Sequence, residues 1–159
     1  MERWTRRSRI DVTRLDLVIV RVHAWASHWV LSGVDIAYRL FFYLDSLRGR
    51  DTGGVVDNLK AWILDEVKNK TGESASKSFD VHRWPTDVSG DVSLQTDTAS
   101  CDVFVLLLAD CLILGAAAAF TQEDMNNMRL RMAGDLVCGT INANASCVGT
   151  CCRGQYGRR

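Results

Sequence analysis

Residues 103–120, VFVLLLADCLILGAAAAF, are the most apolar stretch of the chain: eighteen residues with Asp110 as the single charge. A run of this length is long enough to cross a bilayer. A carboxylate near its middle is costly in lipid, however, and Gly115 followed by four alanines reads as one helix ending and another segment beginning. The expectation is therefore a central helix buried on all sides in a folded domain, with no membrane span. The surroundings agree. The chain has 159 residues, the size of one ordinary domain. Nineteen Lys+Arg balance nineteen Asp+Glu, and 47% of residues are hydrophobic. That composition argues against a disordered chain and against a strongly basic nucleic-acid binder.

Around this helix the pattern is mixed. Leu15–Val22 (LDLVIVRV) reads as a buried strand, Trp29–Ile36 as a second and the aromatic Tyr38–Leu44 as a third. Their short connections predict an antiparallel meander. Asp51-Thr52-Gly53-Gly54 is loop and helix-start chemistry, and apolar residues at 55, 56, 59, 62, 63 and 67 give the next segment helical spacing. Phe79–Trp84 and Val92–Leu94 are candidate short strands, with a turn at 87–91. Thr121-Gln122-Glu123-Asp124 is a helix cap followed by acidic first-turn residues, and Met125, Met128, Met132, Leu136 and Val137 continue it at helical spacing. The fold class expected is α+β: a small, mainly antiparallel sheet packed on helices. The organisation expected is a basic segment at 1–14, a core domain at 15–141 and a cysteine-containing tail at 142–159.

Arg3, Arg6, Arg7, Arg9 and Arg14 crowd the beginning, but the apolar stretch behind them is short and holds Asp16 and Arg21, unlike a secretory signal. The expected setting is the nucleus or cytoplasm, where the six cysteines remain reduced. Cys147, Cys151 and Cys152 lack a second well-spaced ligand pair, so no metal is expected.

Four residues carry candidate chemistry. Cys101 lies where the polar segment 96–100 runs into the apolar helix, and a helix N-terminus favours thiolate. His28 precedes the second strand and Asp45 ends the third, so adjacent antiparallel strands can set them side by side, where a carboxylate fixes the imidazole tautomer. Gln95 can offer its amide to an oxyanion. Composition and spacing leave the plainer reading open: a packed cysteine, a structural histidine, a turn aspartate and a loop glutamine.

The residues themselves resemble a family. His28-Trp29-Val30-Leu31, Tyr43-Leu44-Asp45-Ser46-Leu47, Gln95-Thr96-Asp97 leading to Ser100-Cys101, Val103-Phe104-Val105-Leu106 with Ala109-Asp110, and Thr121-Gln122-Glu123-Asp124-Met125 with Arg129-Leu130-Arg131-Met132 occur in order. Together they resemble the ubiquitin-like-protein proteases, the cysteine peptidases that process and deconjugate SUMO. The resemblance implies a papain-like fold and a peptidase acting after a C-terminal Gly-Gly. His28 would be the general base, Asp45 its orienting carboxylate, Cys101 the nucleophile and Gln95 the oxyanion donor with the Cys101 N–H. Trp29 would line the passage for the substrate terminus. No cofactor or metal is implied. The partner would be SUMO or another ubiquitin-like protein, with no nucleic acid and no membrane. His23 and His82 match nothing in the family.

Three departures qualify this expectation. Asp102 and Thr98 stand where the family has glycine, and Asp102 puts a negative charge beside the thiol, which opposes its ionisation. Ser93 stands where the family usually has proline. Only 27 residues precede His28, fewer than the family's domain carries there, which implies that part of the substrate groove is missing. The alternatives are a weak or inactive relative that only binds a ubiquitin-like protein, and a degenerate gene fragment.

Overall fold

A computed structural model describes residues 10–25, 27–71, 79–88 and 92–139. They form β1 (Leu17–Ala24), β2 (His28–Asp35), β3 (Leu40–Leu44), α1 (Val55–Thr71), β4 (Thr86–Asp87), α2 (Cys101–Leu114) and α3 (Met125–Cys138). Single 3-10 turns lie at Val12–Arg14, Val81–Arg83 and Gln122–Asp124. The four strands make one sheet in the order β1-β2-β3-β4. The connections after β1 and β2 are too short for a crossover, so these neighbours run antiparallel. β4 joins β3 in parallel, with Phe41 opposite Thr86 and Phe42 opposite Asp87. The fold is the expected α+β, with a small mixed sheet.

The described residues fall into two compact units. The first holds 10–20, 32–43, 50–71 and 79–88; the second holds 21–25, 27–31, 44–49 and 92–139. In the first unit the core is Val12, Val34, Phe41, Phe42, Val56, Ile63, Val67 and Val81. α1 begins where the Asp51 carboxylate accepts the N–H groups of Val55 and Val56, both at 2.8 Å, so an aspartate ahead of two glycines supplies the cap. Its apolar positions 56, 59, 63 and 67 are the buried ones. A 3-10 turn at Val81–Arg83 stands in place of the strand expected over 79–84. The turn brings Val81 and Trp84, three apart, to the same side, and Trp84 packs on Phe41 and Phe79. An extended segment would point one of the two away.

In the second unit α2 is central. Cys101, Val103, Phe104, Val105, Leu107, Leu108 and Cys111 are buried. The burial is not complete: Leu106, Ile113 and Leu114 are exposed, Ile113 by 67%. Gly115, in the left-handed conformation at φ 62°, ends the helix after fourteen residues, and its N–H returns to the carbonyls of Cys111 and Leu112. The expectation that Gly115 ends this helix holds. Among the described residues no helix is long and apolar enough to cross a membrane. The Thr121–Asp124 capping box precedes α3: the Thr121 N–H donates to the Asp124 carboxylate at 2.8 Å. Residues 92–94, read as a possible strand, carry no regular structure, and the Ser93 hydroxyl donates to the Ala118 carbonyl at 2.9 Å. The termini at 1–9 and 140–159, including the tail cysteines, lie outside the described residues.

Within β2, Gly33 has no room for a side chain. A Cβ there would stand 2.2 Å from the Val18 carbonyl oxygen and 2.3 Å from the Phe42 ring. Backbone cannot yield as a side chain does. Gly33→Ala is expected to destabilise the protein by about 1–3 kcal/mol, as overpacking does. Chemical denaturation measures this, and an unchanged midpoint would show that the sheet accommodates the methyl.

Candidate active site

All four candidate residues belong to the second unit. His28 opens β2 and Asp45 follows the last residue of β3. The antiparallel strand ends bring them together: His28 Nε2 lies 2.7 Å from Asp45 Oδ1, with side chains 9% and 1% exposed. Nε2 is therefore the nitrogen that meets the carboxylate, leaving Nδ1 as the free face of the ring. Asp45 is also held from behind. Its Oδ1 accepts the Leu47 N–H at 2.8 Å and its Oδ2 the Gly49 N–H at 3.0 Å. A buried carboxylate with three donors is satisfied and cannot swing away.

Two neighbours escape the sequence reading. Trp25 stacks on the His28 imidazole, rings nearly parallel at 13° with centroids 5.6 Å apart. It sits in the left-handed region at φ 54° and is 56% exposed. Gly49 has no room for a side chain: a Cβ would lie 2.3 Å from Asp45 Oδ2 and 2.8 Å from the Trp25 ring. The only sequence signal for either is composition, a Trp ahead of the histidine and a Gly four residues after the aspartate.

Gln95 is buried and both ends of its amide are fixed. Ser46 Oγ donates to Oε1 at 2.5 Å, and Nε2 donates to the Asp97 carbonyl at 2.7 Å. Because a carbonyl only accepts, the second contact assigns the amide orientation and leaves the other Nε2 hydrogen unused in this pair. The Gln95 N–H also donates to the Ser46 carbonyl at 3.1 Å. Ser46 thus anchors Gln95 twice.

The next turn leads to Cys101. Asp97 Oδ1 accepts the N–H groups of Ala99 and Ser100 at 3.1 and 2.9 Å, and its Oδ2 accepts the Ser100 hydroxyl at 2.6 Å and the Gln122 amide at 2.8 Å. The Ser100 hydroxyl above all, then the Ala99 and Ser100 N–H groups and Gln122, hold the Asp97 carboxyl below its ordinary value against an opposing burial effect. Cys101 then starts α2 and is buried. Val103 and Phe104 donate to the Ser100 carbonyl at 3.0 Å, and the Cys101 N–H, at the first position of α2, has no acceptor within the helix. Among the described residues the thiol makes no hydrogen bond to His28. Trp29 lies half-buried between Arg21, 4.2 Å over its ring, and His23, centroid at 4.6 Å. Asp102 does not stand alone, since Arg129 Nη2 pairs with its Oδ1 at 3.2 Å.

A buried imidazole–carboxylate pair, an oriented primary amide and a cysteine at a helix N-terminus are the elements of thiol acyl transfer. Comparisons with known proteins cover the same stretch of chain. Residues 1–138 match the model of the Ulp1 protease family, C-terminal catalytic domain. The chain is 30% identical over 139 residues to ubiquitin-like-specific protease 1A of Arabidopsis thaliana, covering 86% of this chain and 26% of that protein. It is 29% identical over 136 residues to sentrin-specific protease 5 of Homo sapiens, covering 86% and 17%. The chain thus spans well under half the length of these curated relatives. Among solved structures it is similar to the C-terminal Ulp1 protease domain in complex with Smt3, the yeast ortholog of SUMO, at a TM-score of 0.70 and 21% identity over 86% of this chain and 59% of that one. It is also similar to the Chaetomium thermophilum Ulp1-like SUMO protease catalytic domain, at 0.66 and 27% identity over 87% and 53%. With a family match running through nearly all the described residues, the chain belongs to the Ulp1 protease family and carries sequence of its C-terminal catalytic domain.

Proposed function

We propose that this chain is a cysteine peptidase segment that cleaves after the C-terminal Gly-Gly of SUMO or a related ubiquitin-like protein, including isopeptide bonds to lysine, inside the cell in the nucleus or cytoplasm. The observation that carries the reading is the buried His28–Asp45 pair at 2.7 Å. With Asp45 on Nε2, the Nδ1 lone pair is the one available to take the Cys101 proton. The thiolate attacks the glycine carbonyl, and the resulting oxyanion is met by the Gln95 amide and the Cys101 N–H. The imidazolium then protonates the leaving amine, and a thioester remains on Cys101. Water, deprotonated by His28, attacks the thioester and releases the carboxylate terminus and the free thiol. Nucleophile–base contacts often tighten only when substrate is bound, so the absence of a thiol–imidazole hydrogen bond in the free chain is compatible with this role. Trp29 is the proposed wall of the passage for the glycine terminus.

Asp102 and Thr98 favour a second reading, in which the chain binds a ubiquitin-like protein and turns it over poorly. Their side chains stand where the family has glycine near the reacting carbonyl.

A SUMO molecule carrying a C-terminal electrophile separates the two. The peptidase reading expects a covalent adduct on Cys101 and on no other cysteine, located by mass spectrometry of the labelled protein. Adducts on Cys111 or the tail cysteines with Cys101 untouched overturn the assignment, and tight non-covalent binding without an adduct supports the second reading.

The carboxylate carries its own expectation. Asp45→Asn keeps the shape but can present its amide N–H to Nε2, which forces the imidazole proton onto Nδ1 and removes the base. Turnover of a SUMO–fluorophore substrate should fall on the order of 10³–10⁴-fold. Retention of a tenth of the rate would remove Asp45 from the mechanism.

The Asp97 turn has a pH signature. Its carboxyl is lowered in the folded protein, so its stabilisation is fully present above the ordinary value of about 3.9 and is lost as pH falls through the lowered value. Asp97→Asn should melt at a measurably lower temperature than the parent at pH 7, with a smaller gap at about pH 2, toward which the lowered Asp97 carboxyl of the parent gains its proton. A gap of equal size at both pH values would mean that the charge of Asp97 does not hold the turn.

A further inference from the structure

The turn that delivers Cys101 is gripped from α3 by one side chain. Arg129 Nη2 donates to the Ala99 carbonyl at 2.7 Å and pairs with Asp102 Oδ1 at 3.2 Å, while Nη1 lies 3.4 Å from Ser100 Oγ. Ala99 and Ser100 precede the cysteine and Asp102 follows it, so one planar guanidinium spans both sides of residue 101. Gln122 completes the grip: its amide donates to Asp97 Oδ2 at 2.8 Å and its carbonyl oxygen accepts the Thr96 N–H at 2.9 Å.

Asp102 is the residue that makes this arrangement matter. A carboxylate beside a thiol disfavours the thiolate. Among the described residues, Asp97 and Asp102 lie on the turn and at the start of α2, and Arg129 reaches the turn from α3. Of these, Arg129 is the permanent cation, and its Nη2 is the nitrogen that reaches Asp102. The pair is part-exposed, at 39% and 52%, so its contribution to global stability is small. Its consequence is local, in the field and the geometry at residue 101.

We infer that Arg129 is a positioning residue for Cys101: its guanidinium pins the 97–102 turn and supplies the countercharge that lets an aspartate occupy position 102. The inference rests on Cys101 being the nucleophile. It extends that reading, because it assigns to α3 a part in activating the thiol and explains how the chain accommodates a charge next to it.

The test follows alkylation of Cys101 by iodoacetamide in the full chain, quantified on the Cys101 peptide by mass spectrometry at pH 7 and pH 10. This probe needs no ubiquitin-like substrate, so a failed peptidase assay and a failed Arg129 comparison remain distinguishable. Arg129→Ala should slow alkylation at pH 7 by about 3–10-fold, with the deficit shrinking at pH 10, where ordinary thiols are ionised. Asp102→Asn placed in that background should recover most of the loss, and Arg129→Lys, which keeps the charge, should retain most of the pH 7 rate. Asp102→Asn alone should speed alkylation at pH 7, because it leaves the Arg129 cation beside the thiol without its partner anion. An Arg129→Ala protein that alkylates as fast as the parent at pH 7 overturns the inference. So does a deficit that persists unchanged at pH 10 and is not relieved by Asp102→Asn. If the alanine variant does not fold, Arg129→Gln, which keeps an N–H donor and drops the charge, carries the same comparison with the same outcomes.

Discussion

The buried carboxylate of Asp45 is the constraint on which the site depends. An anion taken out of water is tolerated only when donors replace its hydration. Three converge on it: the His28 ring, the Leu47 N–H and the Gly49 N–H. Each donor dictates something local. The ring requires that the start of β2 lie beside the end of β3. The two backbone donors require that the chain double back directly after residue 45, and the Arg48 N–H closes that turn on the Asp45 carbonyl at 3.0 Å with Arg48 in the left-handed region at φ 57°. The approach of Gly49 leaves no space for a Cβ. The Trp25 ring then covers the imidazole from its flat face.

Ser46 extends the same turn to the other half of the chemistry. Adjacent residues thus serve different groups: Asp45 orients the imidazole, while Ser46 seats Gln95 through both its hydroxyl and its carbonyl. The places of the imidazole and of the Gln95 amide are in this way linked through one peptide unit, the shortest rigid link a chain has. From Gln95 the chain runs through the Asp97 turn to Cys101, and that turn is closed by its own side chains together with Gln122 and Arg129. Rigid placement of a site on a loop needs such a shell of secondary contacts.

Much of this was legible from the residues in order. The α2 run, its stop at Gly115 and the capped start of α3 rest on local rules of helix termination, and local rules act over a few residues. The pairing of His28 with Asp45 follows from two strands joined by a short connection. The sequence of residues 79–84 predicts an extended segment, but the turn at Val81–Arg83 is chosen by the tertiary packing of Trp84 against Phe41, which no local propensity encodes. The exposed Ile113 and Leu114 show the same limit from the other side, since apolar composition predicts burial but not which face receives it. Trp25 and Gly49 have no pattern of their own. Their places become apparent only once the carboxylate between them is located.

Asp102 marks the boundary of sequence reasoning most clearly. Considered with its chain neighbours, it is a negative charge beside a thiol and nothing offsets it. In the fold, Arg129 reaches it from the second turn of another helix. The sign of an electrostatic argument at a site depends on every charge within about a Debye length, roughly 10 Å, and chain proximity samples only part of that sphere. The same arginine holds the Ala99 carbonyl, so charge and geometry at residue 101 are coupled through one side chain. A substitution at 102 therefore cannot be read as a change of charge alone: it also releases one arm of the guanidinium that fixes the preceding turn.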